Sequence, residues 1–323
     1  MGRRGGSHDG PDGLVVVDKP TGWTSHDVVA KSRGLLGTRK VGHAGTLDPM
    51  ATGLLLVGFG RATRLLGYLA KAPKTYVATI RLGQSTITDD AEGEVVAAVG
   101  AAGLTEGDVR AALPAFTGVI SQVPSAVSAI KVDGKRAYAR VRAGEDVQLA
   151  AREVTVSRFE VLAVRRATSA ERTVSRHDGE EPSISVVDSG YPVAVLDVDV
   201  VVDCSSGTYI RALARDLGER LGVGGHLTAL RRTRIGAAEQ AVIRLDAAGL
   251  AGDARPEAIG MVQLARDFFP VAEVTAEQAS DIGFGRSLRL AVPADPTAMV
   301  YGDQLLALYR PDGEVARPVA VLA

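Results

Sequence analysis

The chain has 323 residues, of which 46% are hydrophobic and 23% charged, and its formal net charge is −1. This length predicts about two domains and a sizeable core. The apolar runs are far shorter than the ~20 residues of a membrane span, and the N-terminus lacks an apolar signal core. A single cysteine, Cys204, excludes an internal disulfide framework and a cysteine-based zinc site, so we expect a soluble, cytoplasmic protein.

The first third of the chain mixes short strands and helices. Residues 1–12 are rich in Gly, Arg and Asp and are expected to be disordered. The apolar run Gly13–Asp18 predicts a strand, and Ser25 is the expected N-cap of a helix that ends at Leu36. The next predicted elements are a loop over 41–49, a strand over 53–59, a short helix over 63–69 and a strand over 74–82.

The later elements follow in the same mixed order, which favours an α+β fold over a doubly wound sheet. They are an acidic turn over 88–93, a helix over 104–116 with Thr105 as its cap, strands over 154–163 and 193–203, and an amphipathic helix over 208–221. Polar composition without periodicity predicts a surface insertion over 165–190. We expect one large domain over 13–249, a linker over 250–268 and a small β-rich domain over 269–323.

Charge is distributed unevenly along the chain. Residues 1–75 carry eleven Lys or Arg against five Asp or Glu, whereas residues 246–323 carry six Arg against eleven acidic residues. A chain divided in this way can present a positive face to a polyanion such as a nucleic acid. The alternative is chance clustering of charge on solvated faces.

The segment Gly42–Pro49 is the most unusual in the chain. Its glycines allow close approach of another backbone or a ligand, and Pro49 holds Asp48 away from helical geometry. His43 and Asp48 therefore share a pliable loop in a basic neighbourhood. Two interpretations stay open on these residues alone: a catalytic carboxylate, or an aspartate that caps a helix starting at Pro49.

Three further segments could carry chemistry, and each has an ordinary alternative. Tyr76 beside Lys74 suits a stacked base with a nearby phosphate, or is a core tyrosine of an edge strand. Arg211, at a helix N-terminus, could keep a carboxylate ionised, or is a solvated helix arginine. The run Leu230–Arg234 could bind phosphate or lie on a solvated face.

Several familiar cofactor and metal sites are missing from the sequence. There is no GxxxxGK[ST] phosphate loop, no strand-linked GxGxxG with an acid placed for ribose, and no GxSxG elbow. The five histidines lack metal-ligand spacing. We therefore expect chemistry that needs neither a cofactor nor a metal.

Six segments in order, at 13–29, 40–65, 74–83, 121–145, 204–218 and 226–236, resemble the TruB family of tRNA pseudouridine-55 synthases. The sequence GTLDP at 45–49 is the most specific of these matches. The resemblance implies the pseudouridine synthase fold, with a mixed, largely antiparallel central sheet flanked by helices. It makes 13–249 the catalytic domain and 269–323 a PUA-like domain.

The resemblance also implies a reaction and three catalytic residues. One uridine of the tRNA T loop is isomerised, so that its glycosidic bond moves from N1 to C5 without a cofactor. Asp48 matches the essential aspartate, which acts either as a nucleophile at C1′ or by removing the C2′ proton to give a glycal; we favour the glycal. Arg211 matches the arginine that pairs with it, and Tyr76 the tyrosine that stacks on the flipped uracil.

Four residues match positions that support or contact the substrate. Tyr209 and Leu230 match pocket positions, His43 the residue that enters the T loop, and Lys19 the lysine of the DKP turn, to which we assign structural support. The expected partner is the tRNA T stem-loop, with no membrane and no obligatory protein partner, and the chain is expected to be a monomer. A non-catalytic tRNA-binding protein and a guide-RNA-dependent enzyme are the alternatives.

Overall fold

The structure, a computed structural model, describes residues 11–125, 131–132, 135–136, 149–169, 174–175, 185–186, 192–239 and 243–322. The chain forms two compact units. The discontinuous unit combines residues 1–72 with 234–323, and the continuous unit comprises residues 73–233. Helices and strands are mixed in both units without regular alternation, which confirms the α+β class.

The N-terminal half of the discontinuous unit contains three antiparallel strands with helices packed on them. Strands β1 (Gly13–Lys19) and β2 (Val41–Ala44) both pair antiparallel with β3 (Thr52–Phe59). A 3₁₀ helix over Gly60–Leu65 leads directly into α2 (Leu66–Leu69). The expected loop over 41–49 therefore begins as a strand, because β3 supplies partners for its backbone.

Helix α1 (Ser25–Leu36) is capped one residue earlier than the sequence predicted. Thr24, not Ser25, is the N-cap: its side chain accepts a hydrogen bond from the backbone N–H of Asp27, whose carboxylate accepts from the backbone N–H of Thr24. This reciprocal capping box frees the Ser25 hydroxyl for a contact outside the helix.

The continuous unit is built on a sheet with the order β14-β4-β13-β10-β7, in which β13 pairs antiparallel with β4 and β10, and β10 pairs antiparallel with β7. All the described strands of this unit, including three separate two-stranded pairs, are β4 (Lys74–Leu82), β5 (Ser85–Thr86), β6 (Val95–Ala97), β7 (Gly118–Gln122), β8 (Lys131–Val132), β9 (Lys135–Arg136), β10 (Arg152–Ser169), β11 (Val174–Ser175), β12 (Ser185–Val186), β13 (Val193–Cys204) and β14 (Gly225–Ile235). Its helices are α3 (Glu106–Ala112), capped by Thr105 as expected, and α4 (Ile210–Arg220).

Strand β10 extends into the range where we expected the insertion to begin. Arg165 pairs in register with Asp197 of β13, and its side chain forms an ion pair with Asp199. Side chains near this end of β10 are mostly exposed on both faces, so the sequence lacks the alternation of a half-buried strand. The rest of the predicted insertion lies outside the described residues, apart from β11 and β12.

The C-terminal part of the discontinuous unit is β-rich, as expected. Its elements are β15 (Ala238–Glu239), α5 (Ala247–Ala251), α6 (Met261–Phe268), β16 (Val271–Glu273), α7 (Ala276–Gly283), β17 (Thr297–Tyr301), β18 (Gln304–Asp312) and β19 (Val315–Val321). The last four strands form one sheet in chain order, parallel between β16 and β17 and antiparallel elsewhere.

One hydrophobic cluster joins this C-terminal sheet to β1 and β3. Leu14 and Leu56 share it with Val300 and Leu308. Helix α6 contributes the fully buried Leu264 and Ala265, although it lies in the range 250–268 that we expected to be a linker. The C-terminal strands thus pack against the N-terminal sheet within a single core.

Two arginines of the basic N-terminal segment also hold the C-terminal strand. Arg64 donates to the carbonyl of Val321 at 2.6 Å, and Arg61 to that of Leu322 at 3.2 Å. Arg61 also forms an ion pair with Asp12, the last residue of the segment expected to be disordered.

Among the described residues, no helix is long and apolar enough to span a bilayer.

Candidate active site

The backbone on both sides of Asp48 is fixed by contacts from the turn and helix after β1. The Ser25 hydroxyl accepts from the Leu47 N–H at 2.9 Å and lies 3.1 Å from the Leu47 carbonyl, to which it donates. The Pro49 carbonyl accepts from the backbone N–H of Gly22 at 2.9 Å. Residues 49–50 form a turn that leads into β3, so Asp48 caps no helix and that interpretation is wrong.

Lys19 is fully buried and completes this support. Its ammonium donates to the carbonyls of Pro20 at 2.9 Å, Trp23 at 2.6 Å and Pro49 at 3.1 Å. These three bonds match the three N–H donors of an ammonium group. Lys19 thus links the end of β1 to the residue that follows Asp48, which fits the structural role that we expected for it.

His43 lies on β2, two residues before the GTLDP segment begins. Its imidazole meets that of His26 edge to face, with the ring centroids 5.5 Å apart. His26 lies in the first turn of α1, so the same helix that holds Leu47 through Ser25 also contacts His43. The discontinuous unit therefore gathers Lys19, His43 and Asp48 around one short loop.

In the continuous unit, Tyr76 and Leu230 lie on the neighbouring strands β4 and β14. Both are 7% exposed. Strand β4 lies between β14 and β13, so Tyr76 is not on an edge strand. Arg232 on β14 is fully buried, which contradicts a solvated face for the run 230–234 at that position.

Arg211 is buried in an ion pair and is not a solvated helix arginine. It lies in the first turn of α4 and is 5% exposed. Its Nη1 atom donates to the Thr88 carbonyl at 2.8 Å and lies 3.3 Å from Oδ2 of Asp90. The Asp90 carboxylate also accepts from the Thr88 hydroxyl at 2.5 Å and from the Glu92 N–H at 3.0 Å. These bonds fix the direction of the guanidinium.

Tyr209 immediately precedes α4 and is held by Gln122 of β7. The Gln122 amide accepts from the Tyr209 N–H at 2.8 Å and donates to its carbonyl at 3.0 Å. Gln122 and Asp90 were both missed from the sequence. Asp90 lies in the acidic stretch predicted only as a turn, and nothing in its spacing points to an arginine 121 positions further along the chain.

Lys74, the first residue of β4, is a further buried cationic side chain of the continuous unit. Burial, together with the nearby Arg232 guanidinium, lowers the pKa of Lys74 to about 8. Cys204 lies opposite Lys74 in the register of β13 with β4, and burial raises the pKa of its thiol to about 11. The thiol is therefore protonated at neutral pH. Within the described ranges, no group of His, Cys, Asp or Glu side chains could hold a metal ion.

Three family models match the chain. TruB family pseudouridylate synthase (N terminal domain) matches residues 33–181, tRNA pseudouridylate synthase B C-terminal domain residues 211–248, and tRNA Pseudouridine synthase II, C terminal, residues 269–323. The tRNA pseudouridine synthase B of Arthrobacter sp. (strain FB24) is 54% identical over 96% of this chain and 92% of its own length. The chain belongs to the TruB family.

A second TruB relative gives the same result. The tRNA pseudouridine synthase B of Thermobifida fusca (strain YX) is 51% identical over 97% of this chain and 99% of its own length. The expected family and its enzyme class, the pseudouridine synthases, which are isomerases, are therefore confirmed. Asp48 lies within the first matched region.

Solved structures confirm the fold. The crystal structure of a Cbf5-Nop10-Gar1 complex matches with a TM-score of 0.65, covering 96% of this chain and 85% of that chain at 23% identity. A structure of an H/ACA RNP bound to a substrate RNA containing 2'-deoxyuridine matches with a TM-score of 0.62 at 22% identity. At this level of identity, the likeness shows a shared fold and nothing finer.

Proposed function

We propose that this chain isomerises a uridine in the T loop of tRNA, at position 55, to pseudouridine, with Asp48 as the catalytic carboxylate and no cofactor. The observation that carries the proposal is the fixed loop around Asp48. Leu47 is bonded twice by Ser25, and Pro49 is bonded by Lys19 and Gly22. Such support is what a carboxylate needs if it is to meet one sugar atom reproducibly.

The substrate uridine is stacked within its loop and must be extruded before a carboxylate can reach its sugar. Extrusion costs a few kcal/mol, which stacking and insertion by the enzyme offset. We assign stacking on the uracil to Tyr76 and entry into the vacated space to His43. Tyr209 and Leu230 complete the pocket, and Lys19 supports the loop through its backbone contacts.

The chemical step rearranges one nucleotide without gain or loss of atoms other than protons. Asp48 either attacks C1′ or removes the C2′ proton to give a glycal, and we favour the glycal. The C1′–N1 bond breaks and the uracil turns. As the C1′–C5 bond forms, the bond between Asp48 and C1′ breaks on the first route, and the proton that Asp48 removed returns to C2′ on the glycal route. The C5 proton is then lost, with Tyr76 as the candidate for assisting its removal, and N1 gains a proton.

Asp48 must be ionised on either route, and we assign that task to Arg211. A nearby guanidinium favours the charged form of a carboxylate. The ion pair of Arg211 with Asp90 and its bond to Thr88 support this assignment, because they hold the guanidinium in one orientation.

The proposed partner is tRNA alone. The chain is proposed to act on it as a monomer, in the cytoplasm, without a guide RNA or an accessory protein. Identities above 50% to relatives named tRNA pseudouridine synthase B support this choice. The chains matched in the Cbf5-Nop10-Gar1 and H/ACA RNP structures are 23% and 22% identical to this chain, less than half of those values.

The test is to incubate the purified chain with an unmodified tRNA transcript and to map pseudouridine. We expect product at one T-loop uridine, no detectable turnover by Asp48→Asn, and tRNA affinity of that variant within threefold of wild type. Asp303→Asn, at an exposed turn, is the matched control and should behave as wild type. Binding without product would favour a tRNA-binding protein, and product only with added RNA or protein would favour the guide-dependent alternative.

A substrate deuterated at C2′ separates the two routes. Removal of the C2′ proton predicts a primary isotope effect on single-turnover rates. Attack at C1′ leaves the C2′–H bond intact and predicts only a small secondary isotope effect.

A further inference from the structure

The turn that holds Arg211 contains an unusual backbone conformation. Asp89, between Thr88 and Asp90, has φ = +60°, and it is the single non-glycine residue with positive φ in the described part of the chain. A left-handed conformation is unfavourable for a non-glycine residue. Something in the surroundings of Asp89 must therefore stabilise it.

Arg215 provides that stabilisation from the second turn of α4. Its Nη1 atom lies 3.3 Å from Oδ2 of Asp89. Residues four apart lie on one face of a helix, so Arg211 and Arg215 meet the consecutive acids Asp90 and Asp89 side by side. The Arg215 and Asp89 side chains are 22% and 14% exposed, so solvent screens this pair only partly.

The Arg215 guanidinium is itself fixed on its other side. It donates from Nε to Asp216 at 2.8 Å and from Nη2 to the Val123 carbonyl at 2.8 Å. It therefore cannot simply follow Asp89 if the turn relaxes. The Asp89 carbonyl is also held, because it accepts from the Leu227 N–H at 3.0 Å.

Loss of Arg215 would act on Arg211 in two ways. The turn would lose the contact that offsets its strain. In addition, burial raises the pKa of Asp89, and a hydrogen bond with Ser125, followed by the charges of Arg215 and Arg211, opposes that rise. Without Arg215, the Asp89 carboxylate would interact more strongly with Arg211 and compete with Asp90 for its guanidinium.

We propose that the Arg215–Asp89 pair positions Arg211, by stabilising the left-handed turn whose Thr88 carbonyl and Asp90 carboxylate orient its guanidinium. Arg215 and Asp89 are positioning residues, and neither needs to touch the substrate. The proposal rests on the proposed function for what Arg211 does, but the structural coupling can be measured separately.

The kinetic test begins with Arg215→Met, which keeps the aliphatic stem and removes the guanidinium. We expect kcat to fall at least tenfold, with KM for tRNA changed less than threefold, and Arg215→Lys to recover part of the loss. Arg220→Met removes an exposed arginine from the last turn of the same helix and should leave kcat within twofold of wild type.

The decisive variant is the double substitution Asp89→Gly with Arg215→Met. Glycine adopts φ near +60° without strain, and its introduction also removes the competing carboxylate. We expect kcat of the double variant to return to within threefold of wild type. If Arg215 merely stabilised α4, Asp89→Gly would restore nothing, and that result would overturn the proposal. If Arg215→Met fails to fold, the same rescue is measured on Arg215→Lys.

Hydrogen exchange of a peptide covering residues 83–95 gives a readout that does not depend on activity. The N–H groups of Ile87 and Gly93 are bonded within this turn, to the carbonyls of Glu94 and Asp90. We expect exchange at least tenfold faster in Arg215→Met and normal in the double variant; unchanged exchange in Arg215→Met would overturn the proposal. If the variants show this exchange pattern but the wild-type chain forms no pseudouridine, the proposed function is rejected and the coupling of Arg215 to the turn stands.

Discussion

The Nη1 atom of Arg211 lies 3.3 Å from Oδ2 of Asp90, and the two side chains are 5% and 3% exposed. The pair joins the first turn of α4 to the turn between β5 and β6. Charges this deeply buried are stable in a fold only when each has a partner. The orientation of Arg211 is therefore a property of the continuous unit before any substrate binds.

Asp90→Asn should weaken both the fold and catalysis. The substitution removes the negative charge 3.3 Å from the buried Arg211 guanidinium, so we expect the free energy of unfolding to fall by about 3 kcal/mol. We expect kcat to fall between tenfold and a hundredfold. Urea denaturation and single-turnover kinetics measure the two effects. Glu106→Gln breaks the exposed ion pair with Arg110 and should change stability by less than ~0.5 kcal/mol.

Lys19→Met should disturb the loop around Asp48 at Pro49, the residue that follows the aspartate. It removes the common donor of three carbonyls, and we expect a loss of about 3 kcal/mol in the free energy of unfolding. Because Pro49 loses one of its two contacts, kcat should fall about tenfold while the Kd for tRNA stays within threefold. Lys31→Met, at the exposed pair with Asp253, is the control. A normal kcat in a folded Lys19→Met variant would contradict the positioning role.

Gly218→Ala should displace the helix that carries Arg211. An added Cβ at residue 218 would lie 2.2 Å from the Gly224 carbonyl carbon and 2.2 Å from the Gly225 nitrogen, which are backbone atoms. We expect a loss of about 2 kcal/mol or more in stability and a lower kcat. Gly34→Ala in α1 meets no atom within 4 Å and should stabilise the chain by about 0.5–1 kcal/mol. Thermal denaturation of the two variants gives opposite shifts if this packing is correct.

Lys74 should make stability depend on pH in the alkaline range. Its pKa is about 8 in the folded chain, against 10.5 for an ordinary lysine. Between these values the unfolded chain binds more protons, so the free energy of unfolding should rise with pH, by an amount on the order of 2–3 kcal/mol. Urea denaturation of wild type and Lys74→Met at pH 7.5 and 9.5 isolates the effect. Equal changes in both proteins would show that Lys74 is not responsible.

Binding of tRNA should weaken steeply as salt rises. The exposed basic residues within 1–75, Arg33 and Arg39 among them, are expected to neutralise phosphates and release their counterions. Titrations with unmodified tRNA at several salt concentrations should give a straight line of log affinity against log salt. An affinity independent of salt would contradict an electrostatic interface.

Periodic elements could be predicted from the sequence because each depends on its own pattern. The alternation over Lys74–Leu82 and the apolar face of α4 gave the observed strand and helix. β2 could not be predicted, because it is four residues long and depends on pairing with β3. The C-terminal helix α6 was hidden in the same way, since its buried residues serve a core that forms from distant parts of the chain.

The site shows the same division. Asp48 and Arg211 could be proposed from their own segments, but their supports could not. Lys19 reaches Pro49 across thirty positions, and Arg211 reaches Asp90 across more than a hundred. Such contacts leave no signal in local spacing, because they exist only once the strands have paired.

The division into a continuous and a discontinuous unit has a consequence for synthesis on the ribosome. Residues 73–233 emerge as one uninterrupted stretch and can collect all their partners as they appear. The unit that carries Asp48 cannot complete its core until its C-terminal residues are synthesised, because Leu14 and Leu56 share that core with Leu264 and Val300. The loop around Asp48 is therefore translated early, but the core of its unit is completed late. During translation we expect a nascent chain in which the surroundings of Arg211 are already ordered and those of Asp48 are not.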